Sequence, residues 1–225
     1  MSTPEEVEPL IFGLIKEYLK KKPFFSIEDI VEYISNRTRA KSYLNKNRIE
    51  KSIKDLIKKR RLIPGTKLMK NNIIEHPIRN EIYNHIKKNP SNINEIMRAI
   101  NIGSNQVLWH LSCLEKFQFT RSRDIENQRI IFIFDSNPEL DELYFYLRQE
   151  IVQKIIEFML KKNDFLKVSD ISNNLKKNYN TIKKYLEILH NLQLVAIEKD
   201  KKRILFKLDF KRYNKLKELI FGEKR

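Results

Sequence analysis

Residues 93–134 read INEIMRAINIGSNQVLWHLSCLEKFQFTRSRDIENQRIIFIF. Apolar residues fall at Ile93, Ile96 and Ile100, then at Val107, Leu111 and Leu114. Both sets have helical spacing. Asn101–Ile102–Gly103 between them is long enough only for a tight turn. β-branched and aromatic residues then fill Phe119–Arg123 and Arg129–Phe134 around a polar tip, Asp124–Gln128, so a β-hairpin is expected. The order is helix, turn, helix, hairpin. A second helix of this size fits a DNA major groove, with the hairpin along the backbone beside it.

The same pattern recurs on both sides. An opening helix carries Ile11–Ile15–Leu19, Ile78–Ile82–Ile86 and Val152–Ile156–Leu160, each followed by two lysines. A second helix reads IEDIVEYI from Ile27, INEIMRAI from Ile93 and VSDISNNL from Val168. Acidic residues (Glu28 and Asp29, Glu95, Asp170) occupy its first turn, where the helix dipole favours them. A third helix is capped by Asn45, Gly103 or Asn178. It carries Ile49–Ile53–Leu56, Val107–Leu111–Leu114 or Ile182–Leu186–Leu189. From the second helix into the third, repeats two and three align at a constant offset of 75; repeat one holds eight extra residues within the basic segment SNRTRAKSYL. A fixed period of this kind marks a repeat architecture.

Strands are expected after the third helix at Leu194–Lys199 and Arg203–Leu208, around Asp200–Lys202. Repeat one has only Leu62–Ile63 before Pro64–Gly65, and proline disfavours a paired strand. Its hairpin is expected to be reduced or missing. Neither Gly nor Pro interrupts Glu139–Lys162, so one long helix is expected to join repeats two and three. A last helix from Lys211 to Phe221 is expected to cover repeat three or to pair two subunits. The expected boundaries are 1–75, 76–137 and 138–225.

The chain has 225 residues and a formal charge of +16. Residues 1–75 carry 17 basic and 10 acidic side chains, residues 76–147 carry 8 and 9, and residues 148–225 carry 20 and 10. An excess of this kind points to a polyanionic partner, although an AT-rich genome also inflates Lys, Asn and Ile. In the middle stretch Arg121, Arg123 and Arg129 precede an acidic run at Asp135, Glu139, Asp141 and Glu142. No apolar run approaches about 18 residues, so no membrane insertion is expected. The acidic N-terminus lacks a signal pattern and there is one cysteine. The expected location is cytoplasmic, with the nucleoid. The four glycines are isolated, which leaves no Gly-rich phosphate loop. The histidines lack metal-ligand spacing. No enzyme and no cofactor is expected.

If the apolar stripes face inward, the remaining faces are candidates for DNA. In repeat two these are Ser104, Asn105, Gln106 and Leu108, with Arg121, Arg123 and Arg129 on the hairpin. Asn and Gln pair with adenine, and Leu meets a thymine methyl. In repeat three they are Tyr179, Asn180, Thr181, Lys183 and Lys184, with Lys199, Lys201, Lys202 and Arg203 on the hairpin. Adjacent lysines suit phosphates better than bases. In repeat one they are Lys46, Asn47, Arg48 and Lys51. Trp109 is expected to pack under the hairpin, His110 between helices, and Cys113 beside the core.

VLWHLSCLEKFQF resembles the V-x-Y-H-L-x-x-L-E-x-x-G-L stretch of archaeal ArsR- and MarR-like winged-helix regulators, and HPIRNEIYNHI resembles their N-P-x-R-x-x-I-Y-x-x-I opening. Here Gly103 stands where that family often has Ser, Trp109 replaces Tyr and Gln118 replaces Gly. The resemblance covers 76–134 best, then 148–208, and 7–75 least. It implies an α+β, mostly helical fold of three tandem winged-helix units. It also implies double-stranded DNA as partner, usually for transcriptional control, on one monomer or as a homodimer on a palindrome. Winged helices also serve as scaffolds in endosomal-sorting (ESCRT) and RNA-polymerase-associated factors, where the acidic stretch would contact other protein subunits. A nucleoid protein with little sequence preference is the third alternative.

Overall fold

The computed structural model describes residues 4–22, 26–200 and 203–221. The chain divides into two compact units, Met1–Ser136 and Asn137–Arg225. The fold is α+β and mostly helical, with small antiparallel sheets of the winged-helix kind.

The first unit opens with α1 (Pro4–Lys21), α2 (Ile27–Arg37) and α3 (Lys46–Lys58). Their apolar stripes meet in one core, where Ile11, Ile15, Ile30, Ile34, Ile49, Ile53 and Leu56 are fully buried. After α3 the chain turns at Pro64–Gly65, and Leu62 pairs with Met69 in an isolated bridge. Pro64 removes a ladder donor, so no hairpin forms there. A short α4 (Lys70–Ile73) leads to α5 (Pro77–Lys88), β1 (Ser91–Asn92), α6 (Ile93–Ile100), α7 (Ser104–Lys116), β2 (Thr120–Ile125) and β3 (Gln128–Ile133). The strands lie in the order β1-β3-β2. The hairpin runs longer than the sequence implies, because Ile125 pairs with Gln128. Its tip is only Glu126–Asn127, both with positive φ, as a two-residue type I′ turn requires.

The second unit begins with a 3-10 turn (Pro138–Leu140), then α8 (Asp141–Leu147), α9 (Glu150–Lys162), β4 (Leu166–Lys167), α10 (Val168–Leu175) and α11 (Tyr179–Asn191). It ends with β5 (Val195–Asp200), β6 (Arg203–Leu208) and α12 (Phe210–Phe221), its strands ordered β4-β6-β5. The expected long helix is broken. Gln149 is extended (ψ 129°) at the start of α9. The cause is the apolar pattern. Leu143 and Val152 are nine residues apart, which is about half a turn out of phase on a continuous helix. Both belong to one core with Leu147, Ile156 and Met159, and the break turns them the same way. The Gln153 side chain meets one freed carbonyl, that of Leu147, at 3.3 Å. On α12, Tyr213 and Leu216 pack against this core, so the last helix covers its own unit.

The first-turn carboxylates do more than offset the dipole. Asp29, Glu95 and Asp170 each reach back to accept from a backbone N–H: that of Ser26 (3.4 Å), Asn92 (2.8 Å) and Lys167 (3.1 Å). These are capping boxes or their half. A second device closes the third helices. Arg60, Gln118 and Gln193 all have φ between 53° and 58°. Behind them the Arg61, Phe119 and Leu194 N–H groups donate to the Leu56, Leu114 and Leu189 carbonyls at 2.8–2.9 Å. This is the Schellman cap, normally made with Gly. Each Cβ in this left-handed backbone carries strain of about 1–2 kcal/mol. Gln193→Gly is therefore expected to raise stability by about 0.5–1 kcal/mol after glycine's extra unfolded-state entropy is subtracted. Urea unfolding of the two proteins measures this; no gain would mean the cap is unstrained.

Candidate nucleic-acid interface

On α11, Ile182, Leu186 and Leu189 are fully buried. Asn178 caps its start, accepting from the Asn180 N–H at 2.8 Å. The stripe forces Tyr179, Asn180, Thr181, Lys183 and Lys184 outward, and all five are exposed. Lys199 is exposed on β5. Between α11, the start of α10 and the sheet lies an open groove of about 410 Å³. Lys167, Lys183 and Lys199 line it, with Ile197, Ile204 and Phe206 as the apolar part. Tyr179 and Ile204 remain 51% and 47% exposed there. The opposing carboxylate, Glu187, lies 3.8 Å from Lys183. Lys201 and Lys202 lie outside the described residues, as does the Arg203 side chain.

On α7, Val107, Leu111 and Leu114 are buried, and Ser104, Asn105, Gln106 and Leu108 are exposed. Gln106 accepts from the Gly103 N–H at 3.3 Å and so does part of the cap's work. Gly103 has ordinary φ of −70°. Trp109 does not pack under the hairpin: it is 56% exposed. The inner place is taken by His110, which is buried, because position 110 rather than 109 follows Val107 on the inner face. The hairpin arginines differ in availability. Arg129 donates to both Glu115 carboxylate oxygens at 2.8 Å. Arg121 is half-buried, bonded to the Ser136 carbonyl (3.0 Å) and hydroxyl (2.8 Å), with its guanidinium over Phe132. Arg123 is exposed on β2.

On α3, Lys46, Asn47 and Lys51 are exposed, whereas Arg48 is half-buried and donates to the Tyr43 carbonyl at 3.2 Å. The groove beside Lys46 is also lined by Glu28, Glu32 and Glu50. Those carboxylates oppose a phosphate backbone, so the cationic character expected at α3 is largely offset. The acidic stretch is less exposed than its composition implies, since Asp141 is fully buried. Sequence reasoning missed Lys167, Ile204 and the exposed Trp109. Lys167 sits on a two-residue strand, too short to show period-two alternation.

Residues 145–199 match the family described as a winged helix-turn-helix transcription repressor, HrcA DNA-binding. That stretch runs from the end of α8 through most of β5 and contains α11. The chain is also similar to a Methanocaldococcus jannaschii protein described as an uncharacterized HTH-type transcriptional regulator. The two are 30% identical over 135 residues, 60% of this chain. The chain spans about a third (34%) of that relative's length.

The Arg129–Glu115 pair is made through one guanidinium nitrogen, Nη2, which reaches both carboxylate oxygens, and the side chains are 41% and 24% exposed. A double-mutant cycle with Glu115→Ala and Arg129→Ala is expected to give a coupling of about 0.2–1 kcal/mol, the range of exposed pairs. A coupling near zero would return Arg129 to the set of freely available cations.

Proposed function

We propose that this chain binds double-stranded DNA as a transcriptional regulator, with the α11 groove as its phosphate grip. One observation carries the reading. The groove's three lysines and one carboxylate all lie in the stretch that matches a DNA-binding repressor family. Lys167, Lys183, Lys184 and Lys199 supply compact, strongly hydrated charges, which suit phosphates. Tyr179 and Ile204 add apolar contact to sugar or thymine methyl. The α7 face has the complementary chemistry, since Asn105 and Gln106 suit adenine and Leu108 a thymine methyl. In this reading the molecule is a tandem array, 1–75, 76–137 and 138–225, of ArsR/MarR-like type. The third repeat supplies affinity and the second supplies base preference.

Lys183→Glu with Lys184→Glu is expected to weaken duplex binding at least about tenfold with the fold intact, because two attractive contacts become repulsive. If about five phosphates are engaged, log affinity falls with log salt at a slope near −4 to −5, and the double variant lowers that slope by about 2. Gel-shift titration at two salt concentrations, with circular dichroism on both proteins, measures each. Unchanged binding would remove the α11 groove from the interface. Competition by random duplex separates a regulator from a nucleoid protein.

A second reading is favoured at α7. Its face combines Leu108 (41% exposed) and Trp109 with no cation among Ser104–Trp109, and two hairpin arginines are held internally. That is also the chemistry of a protein contact, with an aromatic anchor in an uncharged surround. RNA-polymerase subunits retained from native lysate after nuclease treatment, and released by Trp109→Ala, are the result this reading expects.

A further inference from the structure

His110 lies on the inner side of α7 and is 4% exposed. Its ring centroid is 5.0 Å from that of His76, which stands at the N-cap of α5. The Nδ1 atoms of both rings are buried without a hydrogen-bond partner. One turn into α5, Arg79 is 4% exposed and fixed, its Nε donating to the Ile73 carbonyl at 2.7 Å. Its guanidinium lies 5.9 Å from the Trp109 ring, and Trp109 in turn meets His110 edge-on at 4.7 Å. Two imidazoles and a permanent cation are thus packed behind the exposed face of α7.

We propose that the His76–His110 pair is a proton-sensitive catch that sets how α7 presents its outward face. Burial, the largest cause, holds the His110 imidazole below its ordinary range; His76 and then Arg79 push the same way. Arg79 is on α5 and His76 stands at its N-cap. Among the described residues no carboxylate acts on the ring, from α5, from α6, from the hairpin or from α7 itself. A proton on His110 therefore places a second cation by Arg79 with no counter-charge. The repulsion is relieved when His110 turns outward or α7 moves off α5. The sign follows from linkage. A histidine depressed in the folded state contributes its full stability above the unfolded pKa of about 6.5 and loses it as pH falls through the lower folded value.

Trp109 is the sole tryptophan and touches the titrating ring, so it reports the event. A protonated imidazole in contact with an indole quenches its emission. On the full chain, emission is expected to fall sigmoidally as pH drops from about 7.5 to about 5, with a midpoint below 6.5 and far-UV circular dichroism unchanged. His110→Gln abolishes the transition. His76→Gln, which leaves α7 untouched, moves the midpoint upward. Emission that stays flat, or a transition that survives in His110→Gln, overturns the proposal. So does a midpoint unmoved in His76→Gln.

The effect on presentation rests on the DNA reading and has its own readout. Duplex affinity at acid pH relative to neutral pH is expected to fall severalfold more in the native chain than in His110→Gln, because the packed imidazole resists the proton and the released one does not. Equal ratios alongside a clear Trp109 transition overturn the link to the α7 face. Absence of DNA binding at every pH instead sinks the DNA reading, and the Trp109 titration still decides the catch.

Discussion

One side of each third helix is committed to the core, and most of what the protein presents follows from that. Val107, Leu111 and Leu114 on α7, and Ile182, Leu186 and Leu189 on α11, are removed almost wholly from water. Burying such side chains contributes about 1.5–3 kcal/mol each. No surface preference of a Ser, Asn or Lys competes with that. The outward residues are therefore fixed in direction by their neighbours' hydrophobicity, whatever their own chemistry. The buried stripe orients the helix, and the remaining positions are free to specialise.

They have specialised differently. The α11 face pairs lysines with a Tyr- and Ile-lined groove, while α7 shows amides, Leu108 and Trp109. Beside α3, Glu28 and Glu32 of α2 and Glu50 of α3 itself crowd the equivalent space. Related scaffolds with such unlike surfaces illustrate why the fold alone does not assign a role. The electrostatics at each face differ, and the proposed polyanion site at α11 rests on them. Counting basic residues along the chain would have ranked the first 75 residues nearly as high, yet internal bonds to Tyr43, Glu50 and Glu8 occupy several of those cations.

Much of this was legible in the residues. Stripes at i, i+4 and i+7 placed the third helices and their buried positions. Asn45 and Asn178 identified helix starts, and Pro64 foretold the missing hairpin. What escaped has physical causes. The break at Gln149 carries no Gly or Pro; it arises from the phase of two apolar sets, visible only by asking whether Leu143 and Val152 can face one core. The two-residue strands β1 and β4 have no periodicity to read. Trp109 was misplaced because an aromatic beside a hairpin suggests burial, whereas the helical phase set by Val107 gives the inner place to His110. Arg121 and Arg129 read as free cations until their partners, distant in sequence, were brought beside them.

The left-handed residue after each third helix bears on how the molecule is assembled. Arg60, Gln118 and Gln193 are side chains that an isolated helix would rarely place in that backbone region. The geometry becomes favourable only when the residue two places on is already seated, Leu62 in its bridge or Thr120 and Val195 in their strands. Helix termination and the first sheet contacts are thereby tied into one cooperative event. An early intermediate with finished helices and no hairpins is disfavoured. The join between helix and strand therefore forms with the first sheet contact and is lost with it.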